Sequence, residues 1–353
     1  MKLMGGKGNM EYFVLFTAVL LIVYLIFGVV DWKHVTPYKL MSRMHTNILK
    51  GIAIFMIVWG HIGARLGVHN LQFIGGVGVA LFLLCSGYGL YTSYQNNGLK
   101  NYWKKKIFKV ILPFYLVEII GLAITGELSV TVILRDFLFI RPATSYGWFM
   151  GYLVCCYIIF WIAMKCSEKF KISKISSFAI LSIAFAIWFV SDSLFFANPN
   201  MPFLWARQMM SFLIGVVLSY GLQNKKLSGH LPLCRSTGLI ILSVIFGAGM
   251  IEITQLEVIK NLPYILSNMM ALFTVLPLAI AVLTFTACFQ RVVNNRLFLL
   301  SGGISFEIYL VHAFTLSLVE QNMVRVLLFI LITFVLAWIT HFVVGWVNKK
   351  IKL

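Results

Sequence analysis

Charge is scarce in this 353-residue chain. Asp, Glu, Lys and Arg together make up 11% of it, where a soluble domain carries about 25%. That scarcity excludes an ordinary soluble globular enzyme. Acidic residues are the rarer sign, 11 against 29 Lys plus Arg, which leaves a formal net charge of +18. In a soluble protein such an excess would point to nucleic acid. Here most basic residues fall in short segments between long apolar runs, where Lys and Arg are retained on the cytoplasmic side of a membrane, so nucleic acid is set aside as a partner. Paired cysteine motifs are missing too. Cys85, Cys155, Cys156, Cys166, Cys234 and Cys288 show no CxxC or Cys/His spacing, so they are read as small buried hydrophobes, with no disulfide framework and no metal site. No soluble domain, repeat or low-complexity tract interrupts the chain.

What is present is apolar. Hydrophobic residues are 60% of the chain and the mean hydropathy is +0.92. They fall in runs of about 20, the length that crosses a bilayer core. The expected spans cover residues 11–30, 48–66, 73–94, 110–126, 147–164, 177–195, 205–222, 237–254, 265–289, 300–320 and 325–347. The fold class is therefore all-α, a polytopic integral membrane bundle of about ten or eleven transmembrane helices. The first run is too long for a signal-peptide core and lacks a small-residue cleavage site, so it reads as a retained anchor.

Basic residues set the orientation. Twenty of the 29 lie in one set of alternate loops and six in the other, which puts the C-terminus in the cytoplasm and the N-terminus outside. The expected location is the cell membrane, crossed many times.

Against this background each ionisable residue within a span is a functional candidate. In the second span Lys50 and His61 are eleven positions apart, about 16 Å of helical rise on nearly one face. Lys50 is expected at the cytoplasmic interface and His61 deep in the span. In the tenth, Ser305, Tyr309 and His312 form a stripe at i, i+4 and i+7, with His312 about 18 Å along the axis, near the depth of His61. Glu118 in the fourth span is about 12 Å inside the same face and is expected to orient an imidazole and stabilise its charged form. Glu307, about 140° around its helix from His312, is expected to face another neighbour. Ser86 falls near the middle of the third span. Without a GxSxG elbow, Ser86 and Ser305 read more readily as hydrogen-bonding or packing residues than as nucleophiles.

Residues 100–109 hold five lysines and three aromatics and are expected to be a loop. The plain reading is a positive-inside signal attracted to anionic lipid. The sharper one is a site for a phosphate-bearing ligand.

Taken together, these residues resemble the membrane-bound acyltransferase 3 family, which includes O-acetyltransferases of bacterial polysaccharides. The hallmark of a basic residue, ten positions and then His is matched by Lys50 and His61, with Lys in the usual place of Arg. Further matches are Phe82, Ser86, Gly87 and Tyr88; the basic run Lys105, Lys106 and Lys109 ending at Pro113; and Ser305, Phe306, Ile308, Tyr309, Leu310 and His312. Trp148, Phe149, Arg207, Phe212 and Gly215 fit weaker positions. The resemblance implies transfer of an acyl group, usually acetyl, from cytoplasmic acyl-coenzyme A to a hydroxyl of a carbohydrate or lipid-linked glycan. The acyl-CoA is a co-substrate, and no permanently bound cofactor is expected.

His61 is then the general base, and an acyl-His61 relay that passes acetyl across the membrane is equally compatible. Glu118 orients or charge-balances it, and His312 stabilises the oxyanion or holds the acceptor. Lys50, Lys105, Lys106 and Lys109 bind the coenzyme phosphates, while Ser86, Tyr88, Trp148, Arg207, Ser305 and Tyr309 line the substrate site. The chain is expected to be one membrane-embedded acyltransferase domain over residues 1–353. An anchor helix and basic loop occupy 1–47, the catalytic bundle 48–320, and the last helix with its tail 325–353. Without an extra hydrolase-like domain, either the acceptor reaches the membrane site directly or a separate extracytoplasmic protein completes transfer. The competing readings are a transporter or flippase, which lacks support from any internal symmetry, and a structural subunit whose polar residues only pack helices.

Overall fold

The computed structural model describes residues 6–31, 37–138, 142–144, 147–195, 205–224, 233–319 and 322–351. Apolar runs without competing polar side chains satisfy their backbone groups internally, and helices result. In chain order these are α1 (Gly6–Asp31), α2 (Arg43–Arg65), α3 (Phe73–Asn97), α4 (Tyr102–Lys106), α5 (Leu112–Thr125), α6 (Val130–Phe137), α7 (Trp148–Lys169), α8 (Lys174–Phe195) and α9 (Met209–Gln223). There follow α10 (Leu233–Gln255), α11 (Glu257–Lys260), α12 (Tyr264–Ala271), α13 (Val275–Cys288), α14 (Gln290–Val293), α15 (Arg296–Gly303), α16 (Ser305–Thr315) and α17 (Met323–Lys350). Side-chain oxygens start several of them. Ser42 accepts from the His45 N–H, Ser129 from Val132 and Asn295 from Phe298, each answering an otherwise unpaired first-turn donor.

The fold is the expected all-α polytopic bundle, with differences in the spans. Among the described residues, eight helical segments are long and apolar enough to cross a membrane, and nine if one bent pair counts as a span. Two of the eleven expected spans fall on shorter helices: the apolar part of α1, Met10–Ile26, and α9, which has 15 residues. The fourth span starts earlier than expected, running over Tyr102–Thr125. Of the five lysines expected in a loop, Lys100 does lie in a turn. Lys104, Lys105 and Lys106 lie on α4, and Lys109 on a π-helical segment, Ile107–Ile111, that joins it to α5. The tenth span is not straight, because α15 and α16 meet at 78°. Rise along the chain therefore overstates the depth of His312.

Helices α2, α3, α9, α13 and α15 form the centre. The span containing α3 has 61% of its apolar window buried, whereas α10 has 17% and faces outward. Two seams bring backbones into contact. A Cβ on Gly87 of α3 would run into the Phe212 carbonyl of α9, and one on Gly215 of α9 would run into the Leu84 carbonyl of α3. Gly51 of α2 and Gly302 of α15 abut Phe298 and Asn47 in the same reciprocal manner. Small residues permit this approach, and close approach gives dispersion contacts where lipid offers no hydrophobic drive.

Candidate active site

Helix α16 leaves the bend at Ile304 and lays its side against α2. This brings together two histidines 251 positions apart, with Nδ1 of His61 2.9 Å from Nε2 of His312. The rings are parallel to within 4°, with centroids 5.1 Å apart. The other nitrogen of His312, Nδ1, lies 2.5 Å from the Tyr309 carbonyl oxygen.

That carbonyl fixes the protons. A carbonyl only accepts, so Nδ1 of His312 donates and Nε2 of the neutral ring is left as an acceptor. Nδ1 of His61 must then donate to it, which makes Nε2 the basic nitrogen of His61. Both rings are neutral in this arrangement, so the pair adds no formal charge to an apolar interior where an isolated ion costs several kcal/mol.

The imidazole beside His61 is thus that of His312, which α16 brings alongside, and the two nitrogens of His312 lie within hydrogen-bond distance of His61 and of the Tyr309 carbonyl. Glu118 is 4% exposed, and its Oε1 has no hydrogen-bond partner among the described residues. It sits within electrostatic range of Tyr309 and of Asp136 on α6, with the Thr144 backbone bonded to its carboxyl. The ring of Tyr309 meets Phe149 edge-on at 5.1 Å, and Trp148 meets Tyr152 edge-on at 6.2 Å.

A second polar group lies nearer the start of α2 and α16. Glu307, 7% exposed, accepts from Nδ1 of His341 on α17 at 2.8 Å. Lys50 is within the field of both Glu307 and Cys85. Glu307 does face a neighbour other than His312, and Lys50 lies within the field of that carboxylate. His341→Leu is expected to cost about 1–3 kcal/mol by removing the donor to a buried carboxylate. Thermal unfolding in detergent reads this, and His341→Gln, which keeps an N–H, is expected to recover most of it.

The remaining candidates spread along the bundle. The Lys106 ammonium lies 4.4 Å from the centroid of the Tyr157 ring, whose hydroxyl bonds Ser86. Lys105 is half-buried and Lys109 exposed. Tyr88 bonds Thr92, which meets Ser219 at 2.8 Å. Ser305 Oγ donates to the Gly302 carbonyl at 3.0 Å across the bend. Arg207 lies beside Gly76, with Nε lacking a hydrogen-bond partner among the described residues. The structure thus joins His61 with His312 and sets Tyr309 and Glu118 beside them. Lys50, the other lysines and Arg207 belong to separate surroundings.

Two residues escaped the sequence reading. His341 had the same signal as the others, an ionisable group inside an apolar run. Asp136 had none, because it lies in a connecting segment and only packing reveals that it is 1% exposed. Its Oδ1 accepts the Ala143 N–H at 3.0 Å, while Oδ2 has no hydrogen-bond partner among the described residues. Burial pushes its carboxyl above the ordinary range, against the opposing hydrogen bond from Ala143. A raised folded-state value means stability is full at low pH and falls as pH rises through that value. Asp136→Asn keeps the oxygen acceptor and is expected to flatten the decline. Thermal midpoints from about pH 4 to 8 measure it, and an unchanged slope contradicts it.

A multi-span helical bundle enclosing a hydrogen-bonded histidine pair defines the class, an all-α polytopic membrane protein. The acyltransferase domain family matches residues 46–347, and the chain belongs to that acyltransferase 3 family. No curated protein and no solved structure matches it. Among the described residues no group of three or more His, Cys, Asp or Glu could hold a metal ion.

Proposed function

We propose that this acyltransferase moves an acyl group, acetyl in the first instance, from cytoplasmic acyl-CoA to a hydroxyl of a carbohydrate or lipid-linked cell-surface glycan. The observation that carries the reading is the ordered pair, Tyr309 carbonyl to His312 to His61, which leaves one imidazole nitrogen basic. An alcohol is a weak nucleophile at neutral pH. Nε2 of His61 removes its proton as the oxygen bonds to the thioester carbonyl carbon. The imidazolium formed donates through Nδ1 to His312, which spreads the new charge without a resident carboxylate. Collapse of the tetrahedral adduct breaks the C–S bond, and the thiolate takes the proton from His61. Ester and free thiol leave, and the pair is neutral again.

Lys105 and Lys109 at the basic end, with Lys106 behind them, supply cations for the coenzyme phosphates. Lys50 lies between that end and His61, about 16 Å before the imidazole along α2, and guides the donor inward. Ser86, Tyr88, Trp148, Arg207, Ser305 and Tyr309 are the proposed lining of the substrate path, and Glu118 the carboxyl beside Tyr309. In this arrangement the basic loops and the C-terminus are cytoplasmic in a bacterial cell membrane, and a separate extracytoplasmic protein is the partner where the final acceptor lies beyond the bilayer.

The test feeds labelled acetyl-CoA and candidate glycans to membranes containing the wild type or His61→Ala. Label transferred or released by the wild type and lost in the variant supports the reading. Equal label in both sinks it, and glycan movement without labelling would favour the transporter.

A further inference from the structure

Arg207 carries a charge that nothing around it balances. It sits in a 3-10 turn, Ala206–Gln208, that leads into α9. Its Nε is shut away from solvent without a hydrogen-bond partner. Among the described residues no ion pair reaches the guanidinium and no carboxylate lies within electrostatic range of it. Two neighbouring polar atoms are also unpartnered. Gln208, 0% exposed, donates Nε2 to the Gly76 carbonyl of α3 at 2.9 Å, which leaves its Oε1 without a partner. Ser211 follows Arg207 by four residues and shares its face of the helix; it is equally buried, with Oγ unpartnered. Gly76 draws the first two side chains together, since a Cβ there would lie 3.9 Å from the guanidinium carbon and 3.8 Å from Nε2 of Gln208. Water answers an isolated buried acceptor or hydroxyl, but it does not neutralise an enclosed cation, which is strongly unfavourable while uncompensated. The missing component is an anion.

This group lies at the histidine end of the bundle. Gly75, next to Gly76, backs onto Gly60, whose Cβ would lie 3.1 Å from the Gly75 nitrogen, and His61 follows Gly60. A line of aromatic rings joins the two places. Tyr309 lies 5.4 Å from the His312 ring and 5.1 Å from Phe149. Phe149 adjoins Trp148 at 6.1 Å, and Trp148 adjoins Tyr152 at 6.2 Å. Tyr152 meets Trp205, two residues before Arg207, at 5.4 Å. The coenzyme phosphates do not supply the anion, because Lys104, Lys105 and Lys106 follow the far end of α3, about 30 Å of helical rise from Gly76.

We propose that Arg207 binds an anionic group, a carboxylate or a phosphate, carried by the acceptor whose hydroxyl meets His61. This rests on the acyltransferase reading above and gives its acceptor a charge. The anion takes the Arg207 N–H and the Ser211 hydroxyl in charge-assisted hydrogen bonds. A hydroxyl of the acceptor donates to Oε1 of Gln208, and the aromatic line carries the apolar faces of the molecule between Arg207 and the histidines. A neutral acceptor leaves the guanidinium unanswered, so the site discriminates against it.

The test uses the full chain in nanodiscs at constant ionic strength, with tryptophan fluorescence as the readout. The probes are methyl glucuronide, methyl glucoside 6-phosphate, neutral methyl glucoside and inorganic phosphate. At least one acidic glycoside is expected to bind about tenfold tighter than the neutral one. Arg207→Met is expected to abolish the preference and Arg207→Lys to restore part of it. Inorganic phosphate is expected to compete while binding more weakly than the acidic glycoside. Equal affinity of bare phosphate marks a free-anion site, and loss of the preference on adding phosphatidylglycerol to the nanodisc marks a lipid headgroup; either overturns the assignment to the acceptor. No difference among the glycosides, or a preference that survives Arg207→Met, overturns it outright. Thermal unfolding without ligand is independent of the probe chosen: Arg207→Met should leave the midpoint unchanged or raise it, since an uncompensated cation is removed, and a fall overturns the proposal in favour of a structural role. His61→Ala is expected to lose acyl transfer and keep the glycoside preference, so failure of either proposal is seen separately.

Discussion

His61→Ala is expected to lower acyl transfer by about 10²–10⁴-fold, the ordinary contribution of a positioned general base. The partner's behaviour gives the prediction its force. His312 does no separate work in the proposed mechanism; it holds His61 in the tautomer with Nε2 basic and accepts the N–H that carries the new charge. His312→Ala should therefore cause a loss of the same order, and the double variant should be no worse than His61→Ala alone, because residues acting as one unit are not additive. Initial rates with labelled acetyl-CoA decide this. Multiplying losses would mean that the two rings act independently, and a fully active His312→Ala variant would remove it from the site. Each variant leaves the remaining imidazole short of a buried hydrogen-bond partner, at a cost of about 1–3 kcal/mol, so thermal midpoints are measured alongside and rates are compared below the unfolding range.

Gly87→Leu is expected to destroy the bundle, while Gly89→Leu two residues further along α3 is expected to be nearly silent. At Gly87 a side chain meets the Phe212 backbone of α9, whereas nothing lies within 4 Å of a Cβ on Gly89. Ordinary overpacking costs about 1–3 kcal/mol because side chains move aside. A backbone carbonyl in a helix cannot, so α3 and α9 must separate along a buried seam, and the loss exceeds that range. Gly89→Leu should stay within about 0.5 kcal/mol, as surface changes do. Gly215→Leu should reproduce Gly87→Leu from the opposite helix. Recovery of folded protein and thermal unfolding in detergent measure all three, and similar behaviour of the two α3 variants would refute the seam.

These expectations show where sequence is informative and where it stops. Apolar runs announced the bundle, since a charge-poor stretch of that length has few alternatives. They did not announce the bend at Ile304, because no proline marks it, and Gly302 and Gly303 read alike although one abuts α2 and the other faces open space. His61 and His312 were legible as two imidazoles at related depth. Their hydrogen bond was not, because rise gives height along a helix and says nothing of which way its neighbour leans. Glu118 was likewise placed by depth, and its neighbours Tyr309 and Asp136 arrive from other helices. Lys50 looked like an interfacial cation because its own helix gives no sign of Glu307, which arrives from another.

The π-helical segment Ile107–Ile111 carries a consequence for tolerance to length change. A π turn holds a residue more than an α turn, and such bulges gather at functional positions. Deleting Val110 would therefore let the segment relax to regular α-helix instead of breaking it, and α4 would rotate by about 100° against α5. The span would survive with its length nearly intact, yet Lys106 would swing away from Tyr157. A one-residue deletion here is thus a near-silent change to the scaffold and a rotation of its cationic end.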